Sequence, residues 1–202
     1  MDKFFNNVAK IIEQARKYVG RTVDLTMCIT YFEVGRMIVE EEQGGKARAE
    51  YGSKLMKELS IYLNKRFGKG FSASNLKNAR QFYLIYAPLI HHTLPVVDNE
   101  KSQSLISVFN NDNAPSIRQS MIGESYPFKL SWTHYLILIR IKNDEERRFY
   151  EIEAVKQQWS VRLLQRQYGS SLYLSLLQQK LAEWIEEFEE AQVALEAAQE
   201  NL

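Results

Sequence analysis

All four prolines of this 202-residue chain lie in one stretch near its middle, and the long segments on either side contain none. They are Pro88, Pro95, Pro115 and Pro127. A proline inside a helix removes a backbone hydrogen bond and clashes with the preceding turn, so long helices tend to exclude it. This distribution predicts two helical blocks joined by an irregular segment.

Apolar residues recur at steps of three and four along both proline-free segments, which is the period of an amphipathic helix. In the first segment this pattern predicts one very long helix, or two helices with a break near Gly20, ending at Gly44-Gly45. A second helix is predicted from about Glu50 to Phe67, and a third after Ser72, whose hydroxyl can cap it. No segment alternates apolar and polar residues as a half-buried strand does, so the predicted fold class is all-α and multi-helical.

The second proline-free segment is expected to hold further helices. Ser131, Asp144 and Ser160 are predicted caps, because their side chains can accept a hydrogen bond from a free backbone N–H. The last helix is predicted to bend near Gly169 before it continues to the C-terminus. The predicted domains are an N-terminal helical block at 1–90, an irregular linker at 91–128, a second helical block at 129–175 and an acidic heptad helix at 176–202.

Composition excludes several classes of protein. The formal net charge is +1, so the overall charge selects no class of partner. Cys28 is the only cysteine, which rules out an intrachain disulfide and a cysteine metal cage. Charged residues such as Lys10, Arg16 and Lys17 interrupt the N-terminal apolar pattern, so neither a signal peptide nor a membrane span is expected. We therefore expect a cytoplasmic protein that does not contact a membrane.

The sequence has no arrangement of residues typical of a catalytic, metal or cofactor site. A metal site needs three or four converging ligands, and His91, His92 and His134 lack such companions at a suitable spacing. Gly68 and Gly70 resemble the start of a phosphate-binding loop but lack its continuation. We therefore expect no metal, no cofactor and no enzymatic activity.

The turn that contains Gly68 and Gly70 joins two predicted helices, and the second of them begins with a cap. This is the outline of a helix-turn-helix, in which the second helix enters the major groove of DNA. Its predicted buried side consists of Leu76, Ala79, Tyr83 and Tyr86. On the opposite side Asn78 and Gln81 can pair with adenine, and Lys77 can reach guanine or a phosphate. The predicted nucleic-acid-binding residues are Lys65, Arg66, Lys69, Ser72, Ser74, Lys77, Asn78, Arg80 and Gln81.

Local charge favours the same surface. From Lys46 to Arg80 the chain has nine basic and two acidic residues, which gives this segment a net charge of +7. Clustered lysine and arginine neutralise phosphates and provide most non-specific affinity for DNA. The alternative is an ordinary helical hairpin whose basic face is only solvated, because lysine and arginine are common on the exterior of any helix.

A second, weaker basic site is predicted around Trp159-Ser160. Its candidate residues are Arg147, Arg148, Arg162 and Arg166. In the alternative interpretation, Trp159 and Phe149 belong to the core, and the arginines are exposed or paired with Glu151 and Glu153.

Apolar residues at heptad spacing extend along the C-terminal segment for four heptads, which predicts a helix with an apolar seam. The segment is acidic, since 169–202 contains one basic and seven acidic residues and has a net charge of −6. The seam requires cover, either from a second copy in a homodimeric coiled coil or from the long N-terminal helix of the same chain. The rival to DNA binding is therefore a protein-interaction scaffold, in which the basic face meets an acidic partner and the heptad helix builds an oligomer. The predicted oligomerisation residues are Leu174, Leu177, Leu181, Trp184, Phe188 and Leu195.

Several short motifs occur in the order of a known family, and the chain resembles the YhcG-like N-terminal domain, domain-of-unknown-function family 1016. The resemblance covers roughly 29–172. It implies a DNA-binding helical domain that is normally followed by a nuclease domain of the PD-(D/E)xK type, in proteins related to restriction systems and mobile elements. The matching segments are Val34–Glu40, Ala49–Gly52, Gly68–Ser72, Asn75-Leu76, Arg80–Tyr83, Leu130–His134, Arg147–Tyr150 and Trp159–Arg162.

By this resemblance Phe71, Ser72, Asn75, Arg80 and Tyr83 match the family motif around the turn. The chain departs from the family after about residue 174, where no nuclease domain is expected. Metal-dependent phosphodiester cleavage needs paired carboxylates to hold the cation, and 153–156 has the wrong spacing and lies in a predicted helix. A separate nuclease or a restriction system is therefore an expected partner.

Overall fold

The computed structural model of the protein describes residues 2–44, 49–93 and 127–200. Regular secondary structure within these ranges is helical, which confirms the all-α prediction. The helices are α1 (Asp2–Gly44), α2 (Ala49–Phe67), α3 (Ala73–Thr93), α4 (Trp132–Leu138), α5 (Asp144–Lys156), α6 (Val161–Gly169) and α7 (Leu172–Glu200).

The chain forms two compact units, residues 1–140 and 141–202. The boundary falls inside the predicted block 129–175, because α4 packs with the first unit through Trp132 and Tyr135. Most of the predicted linker, residues 94–126, lies outside the described residues.

The first unit is built on α1, which is a single helix. It runs through Gly20 without a break, so the two-helix alternative is wrong, and it ends at Gly44 as predicted. One glycine in a helix interior costs only about 1 kcal/mol relative to alanine, which a helix this long can absorb. Buried residues begin at Cys28 and Ile29, and most of the preceding apolar residues are exposed. Only the C-terminal part of α1 therefore belongs to the core.

An apolar cluster joins α1, α2 and α3. Ile38, Met56 and Leu76 are buried in it, one from each helix, and partly buried residues surround them. Because α2 contributes only a narrow apolar side to this cluster, its opposite side remains in solvent. The surrounding residues are Val34, Leu59, Leu63 and Phe71.

Aromatic rings from three parts of the chain form the second half of this core. Phe82 on α3 is fully buried, with its ring centroid 4.8 Å from Phe128, 5.0 Å from Tyr135 and 5.3 Å from Trp132. Phe82 was not among the residues predicted for the buried side of α3, which were Leu76, Ala79, Tyr83 and Tyr86. α3 is covered on one side by α1 and on the other by the segment around α4, so it buries a wider face than a two-helix contact requires.

α3 does not end before Pro88, contrary to the expectation that long helices exclude proline. It continues to Thr93 with Pro88 inside it. The neighbouring Tyr86, Ala87 and Ile90 are buried, and their packing offsets the backbone hydrogen bond that the proline removes. Pro88 itself is exposed, so its ring contacts solvent and not another helix.

Three predicted caps have different outcomes. Ser160 accepts a hydrogen bond from the Leu163 N–H at 3.3 Å and caps α6 as predicted. For α5 the predicted cap Asp144 is wrong, because Asn143 accepts from the Glu146 N–H at 2.8 Å and Asp144 is the first helical residue. Ser131 holds the cap position of α4, but its side chain makes no capping bond.

The second unit is a small helical cluster built around Tyr150 on α5. Its buried hydroxyl donates to the Gln167 carbonyl at 3.3 Å and accepts from the Tyr173 N–H at 3.2 Å, which ties α5 to the ends of α6 and α7. Burial raises the pKa of Tyr150. The predicted bend near Gly169 is a full break, because Ser171 adopts a φ of 54° and separates α6 from α7.

Candidate nucleic-acid interface

The turn between α2 and α3 is held by its glycines and by a side-chain amide. Gly68 and Gly70 have φ values of 82° and 132°, which residues with a side chain rarely adopt. The Asn64 amide donates to the Ser60 carbonyl at 2.8 Å and to the Phe71 carbonyl at 3.2 Å. The end of α2 and the start of α3 are thereby fixed relative to each other.

Ser72 and Asn75 fix the first turn of α3. The Ser72 hydroxyl accepts from the Asn75 N–H at 3.2 Å, which is the predicted cap. The Asn75 side chain donates to the Gly70 carbonyl at 2.7 Å and accepts from the Trp132 indole N–H at 3.2 Å. Two segments that carry the family resemblance, around Asn75 and around Trp132, are therefore in direct contact. Their shared role is to hold the turn in place.

The predicted polar face of α3 lies at the surface. Ser74, Lys77 and Gln81 are exposed, and Asn78 is half-buried. Lys65, Arg66 and Lys69, from the end of α2 and the turn, are exposed as well. All of these residues belong to the first unit.

Arg80 differs from the other predicted contacts because it already has an ionic partner. Its Nε lies 2.6 Å from Oε2 of Glu42 at the end of α1, and both side chains are partly buried. A phosphate would have to compete with this carboxylate for the guanidinium. Glu42 was not predicted as a partner of Arg80, although it belongs to the acidic run at 40–42.

Acidic residues of α1 also lower the positive charge on the side of α3 that carries Tyr83. Arg36 forms ion pairs with Glu33 at 2.8 Å and with Glu40 at 2.6 Å. Burial lowers the pKa of Arg36, but the hydrogen bonds to these two carboxylates raise it by more, so its pKa lies above the ordinary value. Burial raises the pKa of the nearby Tyr83 hydroxyl, and the charge of Glu40 raises it further. The Tyr83 flank of α3 is therefore less cationic than the Lys77 side.

One member of the second predicted basic site, Arg147, is buried. It is only 8% exposed, donates to the Ile141 carbonyl at 3.0 Å and pairs with Asp144 at 2.6 Å. In this structure Arg147 therefore supports the start of α5 and does not extend into solvent. The other three candidates, Arg148, Arg162 and Arg166, are exposed. Trp159 is buried and Phe149 half-buried, in keeping with the core alternative.

Neither a metal site nor a membrane-spanning helix is found among residues 2–44, 49–93 and 127–200. No group of three or more histidine, cysteine, aspartate or glutamate side chains is placed to hold a metal ion there. None of the described helices is both long and apolar enough to cross a bilayer.

Comparison with known proteins defines the family. The model of the DUF1016 N-terminal domain matches residues 7–175. The chain belongs to this family. It is also 39% identical over 171 residues to a protein of Escherichia coli (strain K12) described as "Putative nuclease YhcG", an alignment that covers 83% of this chain and 44% of that protein. The chain thus spans less than half the length of this relative. No solved structure matches.

The match to the DUF1016 N-terminal domain ends at residue 175, within the first turn of α7. The predicted oligomerisation residues around and beyond this point form an exposed apolar seam: Trp184 is 67% and Phe188 69% exposed, and Leu174, Leu177 and Leu181 are exposed too. Within the described residues of the unit 141–202, these side chains remain exposed. Leu195 lies on α7, but its side chain is outside the described residues.

Proposed function

We propose that this chain is a DNA-binding helical module of a nuclease-associated protein related to restriction systems or mobile elements, without a catalytic site of its own. In this proposal α2, the turn and α3 act as a helix-turn-helix, and the polar face of α3 enters the major groove. The observation that carries it is the exposure of Lys77 and Gln81 on the outer side of a helix whose start is fixed.

The geometry of α3 suits this role. The major groove of B-DNA admits one α-helix, and side chains on the outer face of the first turns then reach the base edges. Gln81 and Asn78 offer the paired donor and acceptor that adenine requires, while Lys77 can donate to guanine. Lys65, Arg66 and Lys69 lie where they can neutralise phosphates beside the groove.

The family relationship supports nucleic acid as the ligand, because the Escherichia coli relative is described as a nuclease. In our proposal the module delivers a nuclease or another restriction-system component to DNA in the bacterial cytoplasm. Ser72 and Ser74 add hydroxyl donors to the backbone contacts, and the exposed Arg148, Arg162 and Arg166 form a weaker second contact surface.

A titration of random-sequence duplex DNA at two salt concentrations tests the proposal. We expect affinity to fall steeply as salt rises, since phosphate contacts release counterions. The double variant Lys77→Ala/Gln81→Ala should bind about tenfold or more weakly, because each lost base or phosphate contact costs on the order of 1–3 kcal/mol.

The matched control is Lys17→Ala/Gln14→Ala, which removes the same two residue types from an exposed part of α1. It should keep the affinity of the unaltered chain to within about twofold, because one lost distant charge has little effect on a screened contact. Equal affinities of both double variants would contradict groove recognition by α3.

A second candidate function is a protein-interaction scaffold that assembles through α7. The exposed seam of α7 favours it, because single surface apolar residues are ordinary but a continuous exposed row marks an interaction surface. The occupant we propose is a second copy of α7, in a homodimer that would place two α3 helices on one particle.

A further inference from the structure

The outer side of α2 carries two large rings in solvent beside the predicted interface. Tyr62 is 56% and Phe67 61% exposed, although aromatic side chains usually bury most of their area. Together with Arg66 between them, we call these residues the α2 aromatic patch. Of the three, only Arg66 was predicted to contact nucleic acid.

Arg66 holds the patch together. Its Nη1 donates to the Tyr62 hydroxyl at 2.9 Å, and its guanidinium carbon lies 5.3 Å from the centroid of the Phe67 ring. The second distance is within the range of a cation–π contact. One cation thus links two exposed rings and limits the directions in which they can point.

The surroundings of the patch are cationic. Lys65 and Lys69 are exposed on either side of it, and the sequence from 59 to 71 contains no acidic residue. The preceding carboxylate, Glu58, lies 3.8 Å from the Lys54 ammonium group. Flat apolar rings are therefore surrounded by positive charge with no competing acid in the same stretch of chain.

From this combination we propose that the α2 aromatic patch binds unpaired bases of a single-stranded nucleic acid. Bases stack on exposed aromatic rings and on arginine planes, while neighbouring cations bind the phosphates of the same strand. Bases inside a duplex are already stacked on each other, so the patch selects nucleotides that have left the helix. An acidic peptide would satisfy the lysines but leave the rings without a stacking partner.

The position of the patch extends the proposed function and rests on it. Phe67 is the last residue of α2, and its ring lies 6.1 Å from Phe71, just before α3 begins. A strand that leaves a duplex held on α3 would thus pass Phe67 first. The preferred substrate class is a duplex that continues into an unpaired tail.

The test compares three oligonucleotides: a blunt duplex, the same duplex with a thymidine tail, and the tail alone with one 2-aminopurine. Tyr62→Leu/Phe67→Leu removes both aromatic faces but keeps apolar side chains where Phe67 meets Phe71. We expect this variant to lose about tenfold or more in affinity for the tail and the tailed duplex. Its affinity for the blunt duplex should change by less than about twofold. Tyr18→Leu, an equally exposed ring on α1, is the control.

2-Aminopurine fluorescence reports stacking directly. The unaltered chain and the control should change it on binding, whereas the double variant should not. A ribose version of the tail distinguishes RNA from DNA, and either preference fits the proposed stacking. The proposal is overturned if the tail binds equally well to the double variant, if fluorescence does not change on binding, or if polyglutamate displaces the tail as well as free oligothymidine does.

Groove recognition by α3 and base stacking on the α2 aromatic patch can be tested independently of each other. Loss of blunt-duplex binding in Lys77→Ala/Gln81→Ala with normal binding of the tail supports both surfaces. If the blunt duplex does not bind the unaltered chain but the tail binds through the patch, groove recognition by α3 is wrong and stacking by α2 stands.

Discussion

Gly35 shows how a single residue sets the distance between two helices. It lies on α1 where this helix meets α3, and a Cβ at this position would overlap the carbonyl oxygen of Ala79 and lie 2.9 Å from the Tyr83 Cβ. Backbone atoms of a packed helix cannot move aside as a flexible side chain can. The family-like segment Val34–Glu40 therefore has a glycine for steric reasons.

We expect Gly35→Ala to lower the free energy of unfolding by about 2 kcal/mol or more, because α1 and α3 would have to separate. Gly20→Ala is the matched control on the same helix, since a Cβ at Gly20 has no atom within 4 Å. It should stabilise the chain by up to about 1 kcal/mol through helix propensity. Urea denaturation measures both, and equal effects of the two substitutions would contradict the close approach.

Individual residues were predictable where a local rule determines them. Ser72 could be assigned as a cap from its place before an apolar repeat, and Lys77 as exposed from its helical phase. Phe82 could not, because its burial depends on residues far along the chain, and Arg147 could not, because helical phase does not determine whether an arginine folds back onto a nearby carbonyl. Phe82 is buried by Phe128 and Tyr135, which lie far along the chain, and Arg147 is withdrawn from solvent by the carbonyl of Ile141.

The ion pair between α1 and α3 offers a test of how these two helices share Arg80. Glu42 neutralises this guanidinium in the free protein. Glu42→Gln removes the charge but keeps the shape, so Arg80 becomes free to contact a phosphate. We expect duplex affinity to rise several-fold. The slope of log affinity against log salt concentration should become steeper by about 1, the value for one additional phosphate contact. Anisotropy titrations at three salt concentrations measure both quantities.

Arg80→Ala, measured in both backgrounds, is the control for this pair. If Arg80 contacts DNA only when it is not paired with Glu42, Arg80→Ala should reduce affinity more in the Glu42→Gln background than in the unaltered chain. A double-mutant cycle measures that difference. A fall in affinity on Glu42→Gln alone would mean that the carboxylate positions α3 for binding, contrary to our expectation.

Helix boundaries followed from turn chemistry more reliably than from proline. Gly68 and Gly70 end α2 as their sequence predicts, because positive φ values are needed there. The helix that begins after Ser72 was not expected to contain a proline, yet Pro88 lies inside it. The difference is physical: a tight turn requires glycine, whereas a proline only weakens a helix and can be tolerated where neighbouring side chains are buried.

The two units of the chain relate differently to the family. The unit of residues 1–140 lies almost wholly within the match to the DUF1016 N-terminal domain, whereas α7 continues beyond it. The basic surface and the α2 aromatic patch belong to the first unit, and the exposed apolar seam belongs to the second. Groove recognition by α3 and assembly through α7 are therefore separable functions in our proposals.

Sedimentation of the whole chain tests assembly through α7. We expect the 23.6 kDa chain to sediment with about twice its own mass at micromolar concentration, because the exposed seam satisfies the heptad pattern of a two-stranded coiled coil. Trp184→Glu/Phe188→Glu introduces charge into the seam and should yield a monomer, as should removal of residues 175–202.

Glu186→Gln/Glu190→Gln changes only the outer face and should preserve the dimer. A monomer for the unaltered chain, or a dimer that survives both seam changes, would rule out the coiled coil. In either case the DNA affinity of a single α3 helix is predicted to be unchanged, because the contact residues of α3 lie in the unit of residues 1–140.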